Sequence, residues 1–119
     1  MRPGPDGAPA CAASGRSLGV RPSDLIPFGV DPVHPGAGGM SVFADDPLGL
    51  PPHRLPPSLG GYGKDPLFFI DEGSLGSSLS FRPDRLAIGT HGVVEPRVSV
   101  ALAALQEDLC RTRQQWSRA

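Results

Sequence analysis

Hydrophobic positions concentrate in three short runs between Pro66 and Pro96: Leu67-Phe68-Phe69-Ile70, Leu79-Ser80-Phe81 and Gly92-Val93-Val94. Gly/Ser and Pro/Asp clusters separate them and read as turns. Short length, aromatic and β-branched content and flanking breakers predict strands rather than helix. In the second run Leu79 and Phe81 alternate with Ser80 and Arg82, the period of a half-buried strand, and Pro83-Asp84 ends it. The connection through Asp71-Glu72-Gly73 and Gly76-Ser77-Ser78 allows the first two runs to pair as neighbours, by a link longer than a tight hairpin. Met40-Ser41-Val42-Phe43 is a fourth strand, entered through Gly38-Gly39. Glycines there let the backbone turn sharply and let another group come close.

Helical spacing occurs only at the C-terminal end. Val98, Leu102, Leu105 and Leu109 recur on one side between Pro96 and Trp116, and Ala101, Ala103 and Ala104 add propensity. Ser99 is the expected N-cap, with Val98 just outside. Glu107 and Arg111 form an i, i+4 pair. Trp116 is expected to seal the helix against the domain. In the other direction, Leu18–Phe28 holds apolar Val20, Leu25 and Ile26 around Pro22-Ser23-Asp24, which start a turn or one short helical turn, and Pro27 stops it. Gly29–Gly39 is a loop by composition. Ala44–Lys64 is a long Pro- and Gly-rich loop whose two Pro-Pro pairs favour extended polyproline geometry. Residues 1–17 lack any apolar period and read as a disordered tail.

Composition narrows the picture. One small domain fits in 119 residues. Eleven basic against twelve acidic side chains remove the bulk electrostatic argument for nucleic acid or an anionic membrane as partner. No apolar run approaches the roughly 20 residues of a membrane span, and the N-terminus lacks the apolar core of a cleaved signal peptide. The expected location is therefore cytoplasmic, with export by a route without a cleaved signal left open. Cys11 and Cys110 lie near opposite ends. A long-range disulfide between them is conceivable, but two cysteines make no framework, and free thiols are the expectation.

Motifs for metal and phosphate chemistry are missing. His34, His53 and His91 have no partners at ligand spacing, and the cysteines form no CxxC pair. Gly60-Gly61-Tyr62-Gly63-Lys64 lacks the spacing and the Ser/Thr of a P-loop, and Gly73–Ser78 is a turn rather than a nucleophile elbow. Two pieces remain. Ser41 follows glycines on a short strand, where its hydroxyl can reach a ligand, or simply face water. Arg82, Asp84, His91 and Glu95 cluster at strand ends. Arg82 can clamp a phosphate with its planar fork, His91 can donate to a ligand or act as a base, and Glu95 can hold a ribose hydroxyl or activate a nucleophile. The plainer alternatives are a solvated bend at Arg82-Pro83-Asp84 and a favourable charge ahead of the helix at Glu95.

Taken in order, Val20–Leu25, Gly38-Gly39-Met40-Ser41-Val42-Phe43, Phe69-Ile70-Asp71, Leu79–Asp84, Thr90-His91-Gly92-Val93-Val94-Glu95-Pro96 and a helix ending Arg113-Gln114-Gln115-Trp116 resemble one family. It is the ADP-ribosyltransferase-like toxin domain of the type VI secretion exported (Tse) effectors, and the similarity spans roughly residues 18–117. The resemblance implies a small α+β fold of short strands in two packed sheets with a C-terminal helix. It implies a toxin acting in the cytoplasm as a transferase of the glycosyltransferase class. NAD would be the substrate and a protein the ADP-ribose acceptor, and a cognate immunity protein would be a further partner. Catalytic roles fall to Ser41, His91 and Glu95. NAD binding falls to Ser41, Phe43, Arg82 and Asp84, with Ser41 supporting the nicotinamide ribose and Arg82 a phosphate or loop anchor. Family members begin with a strand carrying an aromatic-Arg pair. Here that region is not strand-like, so the domain lacks a complete first strand and Arg16 is the candidate in its place. The alternative function is a non-catalytic protein-binding module of the same fold, using its cleft or the Leu48–Tyr62 loop.

Overall fold

The structure, a computed structural model, describes residues 1–44, 50–84 and 91–119. Among the described residues, five strands and one α-helix follow in the order β1 Met40–Phe43, β2 Phe68–Phe69, β3 Leu79–Pro83, β4 His91–Pro96, α1 Leu102–Arg111 and β5 Ser117–Arg118. Two small antiparallel sheets and one C-terminal helix make a small α+β fold.

The larger sheet has the order β1-β4-β3. Its central strand β4 carries the last predicted run, lengthened at both ends. Met40 lies opposite Val94 and Phe43 opposite His91 on one side. On the other, Phe81 lies opposite Val94 and Leu79 opposite Pro96. Alternation then assigns the faces. Met40, Leu79 and Val94 are buried, with Val42 and Phe81 packed behind them. Gly92 also faces this side, and the Phe81 ring occupies the space where a Gly92 side chain would stand.

The first two predicted runs do not pair. The connection between them folds into a 3-10 turn over Glu72–Leu75, where the Asp71 carbonyl accepts from Ser74 N–H at 2.9 Å. Leu75 is thereby delivered to the core, and the chain leaves the line of β2. β5 pairs with β2 instead, and Ala119 N–H extends the ladder to the Leu67 carbonyl.

Helix α1 starts two residues later than a Ser99 cap requires. Val33 and Val100 exchange both backbone hydrogen bonds, at 2.7 and 3.0 Å, which holds the chain extended up to Ala101. The Ser99 hydroxyl meets the His34 ring at 2.6 Å. The helix terminus is served from elsewhere: the Asp31 carboxylate accepts from Leu102 N–H at 3.0 Å. A cap from a residue 71 positions away cannot be read from local sequence. Leu105 and Leu109 are buried as expected, whereas Val98 stays 66% exposed. Trp116 packs on the core and donates to the Thr112 hydroxyl at 2.9 Å, which itself donates to the Leu109 carbonyl. The Glu107–Arg111 pair forms at 3.8 Å.

Residues 1–17, expected as a disordered tail, form three short extended passes tied to each other. Ala10 N–H donates to the Arg2 carbonyl and Leu18 N–H to the Ala10 carbonyl, and Arg2 N–H donates to Arg16. The passes lie against α1 and the turn that follows it. Arg113 donates to the Pro9 carbonyl at 2.8 Å and to Asp6 at 2.7 Å, and Gln114 also reaches Asp6. Cys11 and Cys110 are joined as a disulfide with Cα atoms 5.7 Å apart, against the expectation of free thiols. Composition misleads here because the stabilising partners lie about a hundred residues away in sequence. The irregular half also supplies core: Leu18, Val20, Leu25 and Val33 are buried.

Each Pro-Pro pair of the long loop is half extended. Pro51 and Pro56 keep polyproline-like angles, but Pro52 and Pro57 open 3-10 turns at Pro52–Arg54 and Pro57–Leu59. Tyr62 N–H returns to the Pro52 carbonyl and Gly63 N–H to that of Leu55, whose side chain is buried. Residues 51–63 are a folded loop rather than an extended polyproline stretch, and Gly61 is required where it passes the carbonyls of Pro52 and Leu55. Leu48, at the start of the proposed binding loop, and Thr90 of the last motif lie outside the described residues.

Candidate functional site

The alternation that buries Met40 and Val94 sends the candidate residues to the other face. Ser41 and Phe43 on β1, Arg82 on β3, and His91 and Glu95 on β4 all belong to the side opposite the core. Asp84, one residue beyond β3, is held by a backbone bond from its N–H to the His91 carbonyl, at 3.0 Å. Six residues named from the sequence therefore meet on one sheet face or its rim.

Glu95 is the best-enclosed of them, 6% exposed. Its two oxygens lie 3.2 Å from Arg82 Nε, and Oε2 also accepts from the Gly36 N–H at 2.8 Å. The carboxylate is thus neutralised by one guanidinium and steered by one backbone dipole, an arrangement that holds an ionised group out of water. Arg82 is half-exposed. Its Nε donates to Glu95.

His91 stands at the other end of the face. Its Nδ1 lies 3.3 Å from Asp84 Oδ2. A carboxylate on Nδ1 favours the tautomer with the proton on Nδ1 and the lone pair on Nε2. Phe43 packs edge-on against the imidazole, with ring centroids 5.4 Å apart. Over the Phe43 ring lies the Arg54 guanidinium, 5.5 Å from its centroid, brought there by the Pro52–Arg54 turn. Ser41 is exposed between these two groups on β1, opposite Val93.

Gly38 and Gly39 serve the fold. Gly38 has φ +117°, and an added Cβ would strike the Asp24 carbonyl; one at Gly39 would strike that of Val94. The group that approaches closely is the protein's own backbone. Arg16, the substitute for the family's first-strand arginine, makes a two-pronged pair with Asp65 at 2.9 Å on both arms and joins no member of the face. That pair holds the Asp65 carboxyl below the usual carboxylate range. Among the described residues no group of His, Cys, Asp and Glu side chains is placed to hold a metal ion. A depression of about 250 Å³ lies elsewhere, between residues 74–79 and Asp108, Arg111, Thr112 and Gln115 at the end of α1 and in the turn after it.

Gly36 and Arg54 belong to the site but were not singled out from the sequence. Gly36 acts through its backbone, which no side-chain pattern reveals. Arg54 sits in a proline loop whose fold back onto Phe43 depends on long-range closure. Comparison with protein-family models, curated proteins and solved structures returns no match. No helix among the described residues is long and apolar enough to cross a membrane.

Proposed function

We propose that the chain is an ADP-ribosyltransferase-like toxin domain that takes NAD on this outward face and transfers ADP-ribose to a protein target. The observation that carries the reading is the convergence of Ser41, Phe43, Arg82, His91 and Glu95, which the family resemblance assigns to the NAD site, on one side of a three-stranded sheet. The chemistry suits those groups. Loss of nicotinamide leaves positive charge on the ribose ring, and a fixed carboxylate stabilises such charge without reorganising. Glu95 is fixed by Arg82 and Gly36, so Arg82 is a positioning residue. Ser41 offers an exposed hydroxyl to the ribose, Phe43 an aromatic surface, and His91 an imidazole oriented by Asp84. As a toxin the domain would act in the cytoplasm of a target cell, with a cognate immunity protein restraining it.

One observation favours the runner-up, a protein-binding module of the same fold. Both Glu95 oxygens are already engaged, while Phe28, Tyr62 and Phe69 stand exposed, Phe28 at 78%. Inducible expression in a bacterial host separates the two, with growth and soluble protein followed for wild type, Ser41→Ala and Glu95→Gln. Nicotinamide release from NAD by the purified proteins is the second readout. Growth arrest and nicotinamide release by wild type alone, at equal protein levels, support the transferase. Normal growth and no release from folded wild type overturn it in favour of the binding module.

A further inference from the structure

We propose that the Cys11–Cys110 disulfide is a redox-operated latch that holds residues 1–16 against α1 and lets them go in a thiol-rich compartment. The inference is independent of the function proposed above. It begins with what else holds the segment. Its backbone hydrogen bonds run mostly within itself or to the adjoining Leu18. Its ties to the rest of the chain are one bond from the Met1 ammonium to the Pro66 carbonyl at 3.0 Å and side-chain pairs at the surface: Arg16 with Asp65, 57% and 25% exposed, and Arg113 with Asp6, 28% and 45% exposed. Exposed pairs of this kind contribute little. Apolar anchoring comes from Met1 and Pro9, flanked by half-buried Ala8 and Ala10, with the Pro9 carbonyl held by Arg113. The disulfide is the one covalent tie, across 99 positions of sequence.

The next residues are held differently. Ser17, Leu18 and Val20 are buried, and Leu18 and Val20 belong to the core cluster. The Gln106 side chain accepts from Val20 N–H at 2.9 Å and donates to the Leu18 carbonyl at 3.4 Å. Opening therefore has a natural limit between Arg16 and Ser17.

The bond is placed to be cleaved by exchange. Cys11 is exposed and Cys110 half-buried. The thiolate of a small thiol reductant attacks Cys11 Sγ, and the electron pair of the S–S bond leaves on Cys110 Sγ, which takes a proton from water. A second thiol resolves the mixed disulfide. The products are two protein thiols and one oxidised reductant, a balanced two-electron exchange. Gln106 Nε2 lies 3.4 Å from Cys110 Sγ and 3.5 Å from Cys11 Sγ, so an amide donor stands beside the leaving thiolate. A stabilised leaving thiolate departs faster.

The experiment is limited trypsin digestion of the full chain, read by mass spectrometry, with the fluorescence of Trp116 reporting the core. Oxidised wild type, wild type in millimolar glutathione, and a Cys11→Ser/Cys110→Ser double variant are compared. The latch predicts that cleavage after Arg16 quickens more than tenfold with glutathione and is equally fast in the double variant without it. The 17–119 fragment stays resistant, and Trp116 emission is unchanged. Equal protection of Arg16 in all three samples overturns the proposal, because the segment then holds without the bond. Loss of core resistance together with the segment also overturns it, because the bond is then a staple for the whole fold. Free thiols in protein prepared under oxidising conditions overturn it at the outset.

Discussion

The outward face of the β1-β4-β3 sheet and the N-terminal segment on α1 are both polar, and they are polar for different reasons. On the sheet, position comes from backbone. Ser41, His91, Arg82 and Glu95 stand where the registers of β1 and β3 against β4 put them. The side chains could change without moving the strands. In the N-terminal segment no ladder extends into the rest of the chain, and position comes from side chains: Gln106, Arg113, Gln114 and the disulfide reach out from α1 and the turn after it and hold the loops in place. The first region has a scaffold with free choice of chemistry on top. In the second the chemistry is the scaffold.

Breaking the backbone of the sheet is therefore expected to cost most. Gly39→Ala would drive a Cβ into the Val94 carbonyl, and peeling β1 away to relieve it should cost about 3 kcal/mol or more. A denaturant midpoint unchanged from wild type would show that β1 is not locked at this point. Next comes a side chain that acts as scaffold. Gln106→Leu leaves the Val20 N–H without its acceptor, a loss of roughly 1–3 kcal/mol by the same measurement. On the sheet face, Glu95→Gln keeps an acceptor for Gly36 and removes the charge facing Arg82. A stability change of about 1 kcal/mol is expected, alongside complete loss of nicotinamide release. Ser41→Ala, at an exposed position, should stay within about 0.5 kcal/mol of wild type while abolishing growth arrest.

Acid sharpens the contrast with the smallest effect. Asp6 is held below the usual carboxylate range first by its bond from Gln114, and Asp65 first by its bond from Arg16. A carboxyl with a depressed folded-state pKa contributes stability that is present above its unfolded value, near pH 4, and is lost as pH falls through the folded value. Proteolysis after Arg16 should accordingly rise as pH drops below about 4, the unfolded carboxylate value, with a protease active in acid. Asp65→Asn should flatten that dependence. A profile identical in the variant would remove Asp65 from the account.

Much of the sheet was legible in the sequence, and so was its face. The 2-residue period of Leu79–Arg82 and the glycine entry to Met40–Phe43 mark strands through local chemistry, and alternation then settles which side each candidate takes. The core of α1 followed from the Leu102–Leu105–Leu109 spacing. What could not be read depends on contacts distant in sequence. Phe68–Phe69 looks like a partner for Leu79–Phe81 until Ser117–Arg118 takes its edge. Ser99 looks like a cap until Val33 holds Val100 extended and Asp31 serves the helix. Residues 1–17 have the composition of a tail, and only the far side of the chain, through Gln106, Cys110 and Arg113, gives them form.

The placement of β4 at the centre of its sheet also orders events in time. β3 and β4 are close in sequence and can find each other cheaply, whereas β1 must be brought in from roughly fifty residues away, after a larger loss of chain entropy. The nascent sheet thus unites Arg82 with Glu95 before Ser41 and Phe43 arrive. A chain caught midway in folding carries the charged pair without the strand that completes the face, so chemistry at this face would begin only with the last strand to dock.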